Sequence, residues 1–246
     1  MPTAPERPRR GRPPAPGREP SGTADRVEAV ERALTLLNAF ADGTPRLTLA
    51  ELAARAGLYP STALRLAGSL QRFGYLQRDA DGLFRLGPAP LLLGGLYQRS
   101  FDLSENVRPA LARLVARTGE TASFFVREGD HRVCLLRTSS PRPIRHHVEE
   151  GSLLPLDRGA SAHVLMAHTG GEGERLDAVR SRGLAVSVGE RDPETAAVAA
   201  PVWGRSAFLG ALGVTGPRGR FEGAHLSEIE VAVSEEARAL TRILGG

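Results

Sequence analysis

The chain has 246 residues, 41% of them hydrophobic and 24% charged, with a formal net charge of +4 and a pI near 10.1. That length suits two domains, each able to bury a core, and the composition excludes a fibrous or wholly disordered chain. One cysteine, Cys134, excludes an internal disulfide and a cysteine-rich metal cluster; with no apolar leader and no apolar run of about 18 residues, we expect a cytoplasmic protein without a membrane partner.

All 32 basic residues are arginine. Residues 1–24 hold five Arg against two Glu, whereas residues 89–246 hold nineteen of each sign, so the positive excess sits mainly at the N-terminus. Residues 1–23 are rich in Pro, Arg and Gly with almost no apolar side chain, and a disordered tail is expected there.

From 24 to 40, Val27, Val30, Leu34, Leu37 and Phe40 recur at helical spacing, with Asp25, Glu28 and Glu31 placed early against the helix dipole. This predicts the first helix of a small core, its apolar stripe inward. Asp42-Gly43-Thr44-Pro45 ends it. Over 48–76, Leu49, Leu52, Ala53 and Ala56 give a second helix stopped by Gly57. After a short turn, Ala63, Leu66, Leu70 and Phe73 give the buried stripe of a third. That is the pattern of a helix-turn-helix. Its second helix turns Ser61, Thr62, Arg65, Ser69 and Arg72 outward, the hydroxyls and guanidinium groups a groove-entering helix needs. Leu64 lies between the two stripes, where it either touches a thymine methyl or rims the core. Residues 74–87 alternate around Asp81-Gly82, a hairpin signature that adds a wing carrying Arg78 and Arg85 toward phosphates.

Residues 88–100 predict a linker helix whose consecutive Leu91, Leu92 and Leu93 exceed what one monomer face needs and suit a partner chain. Beyond it we expect a helix over 106–117 closed by Gly119, strands over 122–127 and 132–138, a short strand over 144–148, helices over 160–167 and 175–182, two buried strands over 196–203 and 208–215, and a closing helix over 226–244. Gly159 permits close backbone approach, and free amides at the start of the following helix, at Ala160 and Ser161, form a ready carboxylate site.

Catalysis is not expected. Gly159-Ala160-Ser161-Ala162-His163 lacks the final glycine of a nucleophile elbow and follows a loop rather than a strand. His146 and His147 are adjacent and would point apart on a strand, which disfavours a metal pair. Cys134 sits in the apolar run VCLL and reads as core rather than redox sensor. Neither a phosphate loop nor a dinucleotide fingerprint occurs, so no cofactor is expected.

The segments VERALTLLNAF, LTLAELAARAGL, STALRLAGSLQRFGYLQRD and GLFRLGP, in this order, resemble the head of the IclR-type bacterial transcriptional regulators, and the resemblance extends over nearly the whole chain. It implies an α/β (α+β) protein: a winged helix-turn-helix domain over 24–87, a linker and dimerisation helix over 88–102, and an effector-binding domain of GAF-like or profilin-like fold over 103–246. It implies a homodimer or homotetramer that binds double-stranded operator DNA and a small carboxylate effector. The family's pocket uses the backbone at the positions matching Gly159 and Ala160. Other pocket positions depart from the family: Ser187 where an acid is common, Ala197 where cysteine is common, and Gly213 in place of a hydroxyl, while Thr215 keeps one. Those departures imply a more apolar ligand. In the head, Tyr59-Pro60 replaces a common Pro-Lys pair, removing one lysine contact while leaving Tyr59 placed to donate to a phosphate. The alternative reading is a constitutive DNA-binding regulator whose degenerate C-terminal domain binds nothing.

Overall fold

The computed structural model describes residues 26–101, 103–145 and 148–246; the expected tail over 1–23 and the His146-His147 pair lie outside them. The chain divides into two compact units, one ending at Leu92 and the other beginning at Leu93.

The first unit holds α1 (Glu28–Asn38), α2 (Leu49–Arg55), α3 (Pro60–Arg72), β1 (Leu76–Arg78) and β2 (Phe84–Leu86). Thr48 starts α2 with a reciprocal capping box: its hydroxyl accepts from the Glu51 N–H, and the Glu51 carboxylate accepts from the Thr48 N–H. Gly57, at φ +63°, ends the helix, and Pro60 opens α3 in its first turn, where a missing N–H costs nothing. The core joins Leu36, Phe40, Leu47, Leu52, Ala63, Ala67, Leu70, Leu76 and Phe84. Each fully buried leucine there contributes about 1.5–3 kcal/mol relative to exposure. β1 and β2 pair antiparallel about the Asp81-Gly82 turn, and Leu47 adds a third pairing to Phe84.

Two stripe assignments need correction. Of the first stripe, Phe40 is buried and Leu37 partly buried as expected, but Val27, Val30 and Leu34 remain 54–61% exposed, and Leu36, with Ala33 partly buried, faces the core in their place. The apolar arc of α1 is wider than the face that the rest of the unit covers, so periodicity alone did not say which part turns inward. Phe73, at the C-cap of α3, is 74% exposed, and Ala67 fills the stripe in its place.

Helix α4 (Ala89–Ser100) contributes its first residues to one unit and the rest to the other. In the second unit, α5 (Ser104–Thr118) ends at Gly119 in the left-handed region and leads into β3 (Thr121–Glu128) and β4 (His131–Thr138). Then come β5 (Leu153–Pro155), α6 (Ala160–His168), α7 (Glu174–Arg182), β6 (Ala185–Val188), β7 (Thr195–Trp203), β8 (Phe208–Pro217) and α8 (Gly223–Ile243). The strands form one antiparallel sheet in the order β5-β4-β3-β8-β7-β6.

Strand alternation sorts side chains between two cores. Phe124, Val126, Leu136, Val198, Leu212 and Val214 pack with Leu111 and Leu114 of α5 and Ile229 and Val233 of α8. Phe125, Cys134, Ala199 and Ala211 face the other way, against Val164 and Leu165 of α6 and Leu176 of α7. Of the expected strand over 144–148, the described residues Ile144, Arg145 and Val148 lie in no strand, Ile144 being 71% exposed, and β4 pairs with Leu153–Pro155. Strand β6, pairing Ser187 with Ala197, was not foreseen.

Candidate functional sites

On α3, Ala63, Ala67 and Leu70 are buried, which leaves Ser61, Leu64, Arg65, Ser69 and Arg72 exposed and Thr62 half-buried. Tyr59, at the N-cap, is 83% exposed. Not all arginines of this unit are alike. Arg55 is a structural clamp, donating to the Ala39 carbonyl at 2.9 Å, to Asp42 at 2.8 Å and to the Thr44 hydroxyl. Arg65 and Arg72 on α3 and Arg85 on β2 make no hydrogen bond or ion pair with any described residue. Their guanidinium groups are free for an external anion. Arg78 differs again: its Nε donates to the Gly82 carbonyl at 3.0 Å, and its guanidinium lies 5.3 Å from the centre of the Phe84 ring. Part of that side chain therefore holds the wing turn, which leaves less of it for phosphate than its sequence position implied.

In the second unit, a cavity of about 40 Å³ opens between the sheet and the start of α6. It takes in Gly159, Ala160, Ser161, Ser187, Ala197 and Thr215, six of the seven positions expected from the sequence. The seventh, Gly213, is paired between Ser123 and Ala199 and does not line it. A side chain there would run into the Val198 carbonyl, so Gly213 serves strand packing. The cavity lining is more polar than Ala197 and Gly213 alone suggest. Ser123 and Thr195 add hydroxyls to those of Ser161, Ser187 and Thr215, and Arg132 and Arg191 add two guanidinium groups. Ser123, Arg132 and Thr195 come from β3, β4 and β7, and Arg191 from the loop before β7.

Gly159 sits at φ +98°, ψ +155°, a conformation open to glycine and strained for other residues. Its N–H donates to Glu190 Oε2 at 2.9 Å. The same carboxylate lies 3.3 Å from His163 Nε2 and 3.2 Å from Arg175. The amide expected to meet a ligand is thus already occupied by a side chain, and the amides left unbonded by helix geometry are those of the first turn of α6. Burial lowers the His163 pKa against the opposing pull of Glu190.

Arg132 was missed. It lies on β4 with its side chain on the same face as Cys134, toward α6, and is only 3% exposed. Its Nη1 donates to the Arg158 carbonyl at 2.8 Å, and its guanidinium stands 5.7 Å from the Phe125 ring centre. Nε has no hydrogen-bond partner, and no carboxylate forms an ion pair with it among the described residues. Burial, and secondarily the charge of Arg191, lowers its pKa to about 10, which still leaves it charged at neutral pH. The strand register offered the signal: an arginine in step with Cys134 faces the core.

The remaining reactive groups are structural. His163 Nε2 faces Glu190 and Arg175 rather than Ser161, so no nucleophile–base pair is formed. Cys134 is fully buried, and burial pushes its thiol up to about 12, against any role as a reactive thiolate.

Comparison with known proteins places these features in a family. The IclR helix-turn-helix domain model matches residues 29–80, and the model of the bacterial transcriptional regulator IclR C-terminal domain matches residues 96–175 and 173–242. The chain is 30% identical to the HTH-type transcriptional regulator BhcR of Paracoccus denitrificans, over 94% of this chain and 91% of that protein. It is 31% identical to the glycerol operon regulatory protein of Streptomyces griseus, over 90% and 98%. Its fold is similar to that of an IclR homologue from Microbacterium hydrocarbonoxydans, crystallised with 4-hydroxybenzoate, with a TM-score of 0.69 at 20% identity over 88% of this chain and all of that one.

Proposed function

The chain belongs to the IclR family of bacterial DNA-binding transcriptional regulators, which are not enzymes, and on that premise we propose that α3 reads operator bases while the cavity beside α6 binds a small organic acid that alters operator affinity. The observation that carries the DNA reading is the contrast among arginines. Those that hold the first unit together are paired, whereas Arg65 and Arg72 on the exposed face of α3 and Arg85 on the wing bond no other described residue. Ser61, Thr62, Ser69 and Tyr59 supply further donors along that face, and Arg78 supplies what its wing contacts leave over.

The active species is a homodimer or a tetramer built from it. Leu91, Leu92, Leu93 and Leu96 of α4 are 48–81% exposed, and so is the Val27, Val30 and Leu34 stripe of α1. Aliphatic surface of that extent supports cover by a second copy. For the ligand, the Microbacterium homologue's 4-hydroxybenzoate supports a carboxylate, and the guanidinium-bearing cavity supports it in this chain. A ligand shifts operator affinity only through different affinities for two arrangements of the protein, and DNA must alter ligand affinity by the same factor.

The test is a pair of binding titrations on operator and on random duplex of equal length. Arg65→Ala costs about 1–3 kcal/mol on operator and much less on random DNA if the side chain contacts a base. Equal weakening on both makes it a phosphate contact. Repeating the operator titration with a panel of carboxylic acids tests the sensor: affinity unmoved by every acid returns the second unit to a ligand-free, constitutive role.

A further inference from the structure

A guanidinium that is 97% buried ordinarily has an acidic partner, because removing its charge from water is costly and only a paired anion or a full set of hydrogen bonds offsets that cost. Arg132 has neither. Its one hydrogen bond is to a carbonyl, its Nε is unsatisfied, and it lines a cavity. Every other strongly buried charge at hand is matched: Glu120, fully buried, holds Arg142 and Arg220, and Glu236 holds Arg113. Asp157, whose charge acts on Arg132 from a distance, forms no ion pair with it and accepts from Arg158 at 2.8 Å, and Glu190 is committed to Gly159, His163 and Arg175. No carboxylate among the described residues forms an ion pair with Arg132, and the Arg191 guanidinium, on the same cavity wall, adds positive charge that acts against it.

We propose that Arg132 is the charge-pairing residue of the effector site, and that the effector is a small monocarboxylate whose carboxylate lies between the Arg132 guanidinium and the first-turn amides of α6. A side chain at Gly159 would stand 3.5 Å from Arg132 Nη2, an ordinary contact distance, which places the start of α6 directly against that guanidinium. The cavity's 40 Å³ limits how much of the acid is enclosed, and Ser123, Ser187 and Thr215 offer hydroxyls to a hydroxy or oxo group on its remainder. A neutral isostere of the same shape leaves Arg132 buried and unpaired, so selection for charge follows from one residue. The proposal rests on the reading of this cavity as the effector site.

The experiment uses the full chain with acetate, glycolate, lactate, benzoate, 4-hydroxybenzoate and their primary amides as probes, read by thermal shift and titration calorimetry. At least one acid raises the melting temperature and its amide does not. Arg132→Met then weakens that acid by about 30-fold or more, and Arg132→Lys by less. The ligand-free melting temperature of Arg132→Met stays level or rises, because an unpaired buried charge has been removed; Arg132→Gln serves if the methionine variant does not fold. Ala197→Phe, or Ala197→Leu if the ring is not tolerated, fills the same cavity and abolishes binding by a separate route. Acid affinity kept in Arg132→Met but lost in the Ala197 variant overturns the role of Arg132 and leaves the cavity as the site. Affinity kept in both overturns the cavity reading as well, and no stabilisation of the wild type by any acid at millimolar concentration overturns the carboxylate assignment. A lowered ligand-free melting temperature with unchanged acid affinity makes Arg132 a structural residue.

Discussion

Glu120→Ala is the sharpest test of how the second unit is held together. Glu120 is 0% exposed at the junction of α5 and β3, and its carboxylate accepts from Arg142 and, at 3.0 and 3.2 Å, from Arg220. Those partners lie 22 and 100 residues away in sequence, so one carboxylate fastens the loop after β4 and the 3-10 turn after β8 to the end of α5. Breaking a buried pair from one side typically costs about 3–5 kcal/mol. Here the arginines are 40% and 27% exposed and regain water when the carboxylate is lost, so the lower end, about 3 kcal/mol, is expected. For a domain of roughly 150 residues this corresponds to a fall in melting temperature of about 6–12 °C. Urea denaturation of wild type, Glu120→Ala, Arg220→Ala and the double variant measures both the cost and the coupling. A loss under about 1 kcal/mol in Glu120→Ala, or strict additivity in the double variant, refutes the junction argument.

Two further outcomes follow from local chemistry. Thr48→Ala removes one half of the capping box at α2 and lowers the stability of the first unit by about 1 kcal/mol, measurable as an earlier urea midpoint; an unchanged midpoint shows that the cap contributes nothing. His168 lies 5.2 Å from the Trp203 ring and 5.3 Å from Phe208, with Nε2 buried and unpartnered; burial, then the charge of Arg180, lowers its pKa below 6.5. The unfolded chain therefore takes up the proton first, so stability present above pH 6.5 declines as pH falls through the folded value. Between about pH 6.5 and 5, before most carboxylates titrate, His168→Phe flattens this decline, with His163 supplying part of what remains. Identical slopes for the two proteins contradict the assignment.

Most of the architecture was legible in sequence because it depends on short-range rules. Helix starts and stops at Thr48, Gly57, Pro60 and Gly119, the Asp81-Gly82 turn, and the alternation in β3, β4, β7 and β8 follow from capping, backbone freedom and side-chain period. The outward face of α3 and the glycine before α6 were visible for the same reason. Where a pattern had two valid solutions, sequence chose wrongly. The predicted stripe ran from Val27 to Phe40, but only its later members Leu37 and Phe40 turn inward, and Leu36 rather than Val27, Val30 or Leu34 is buried with them, a choice made by the helices packed against α1. Ile144, Arg145 and Val148 belong to a segment of strand-like composition, but a strand needs an edge, and Leu153–Pro155 pairs with β4.

The pocket shows the division most clearly. Gly159, Ala160 and Ser161 announce themselves locally, since they open a helix after a residue at positive φ. Arg132, Ser123, Glu190 and Thr195 do not, because they come from separate strands and a loop. Their significance lies in burial and in which charges find partners. The sequence by itself determined most of the elements, the order of the two units and the exposed face of α3 that is proposed to read DNA, since hydrophobic period and turn chemistry act over a few residues. Only the tertiary structure decided which arginines are clamps and which form no ion pair among the described residues, and left Arg132 buried without one, because ion pairing depends on distances between segments far apart in the chain.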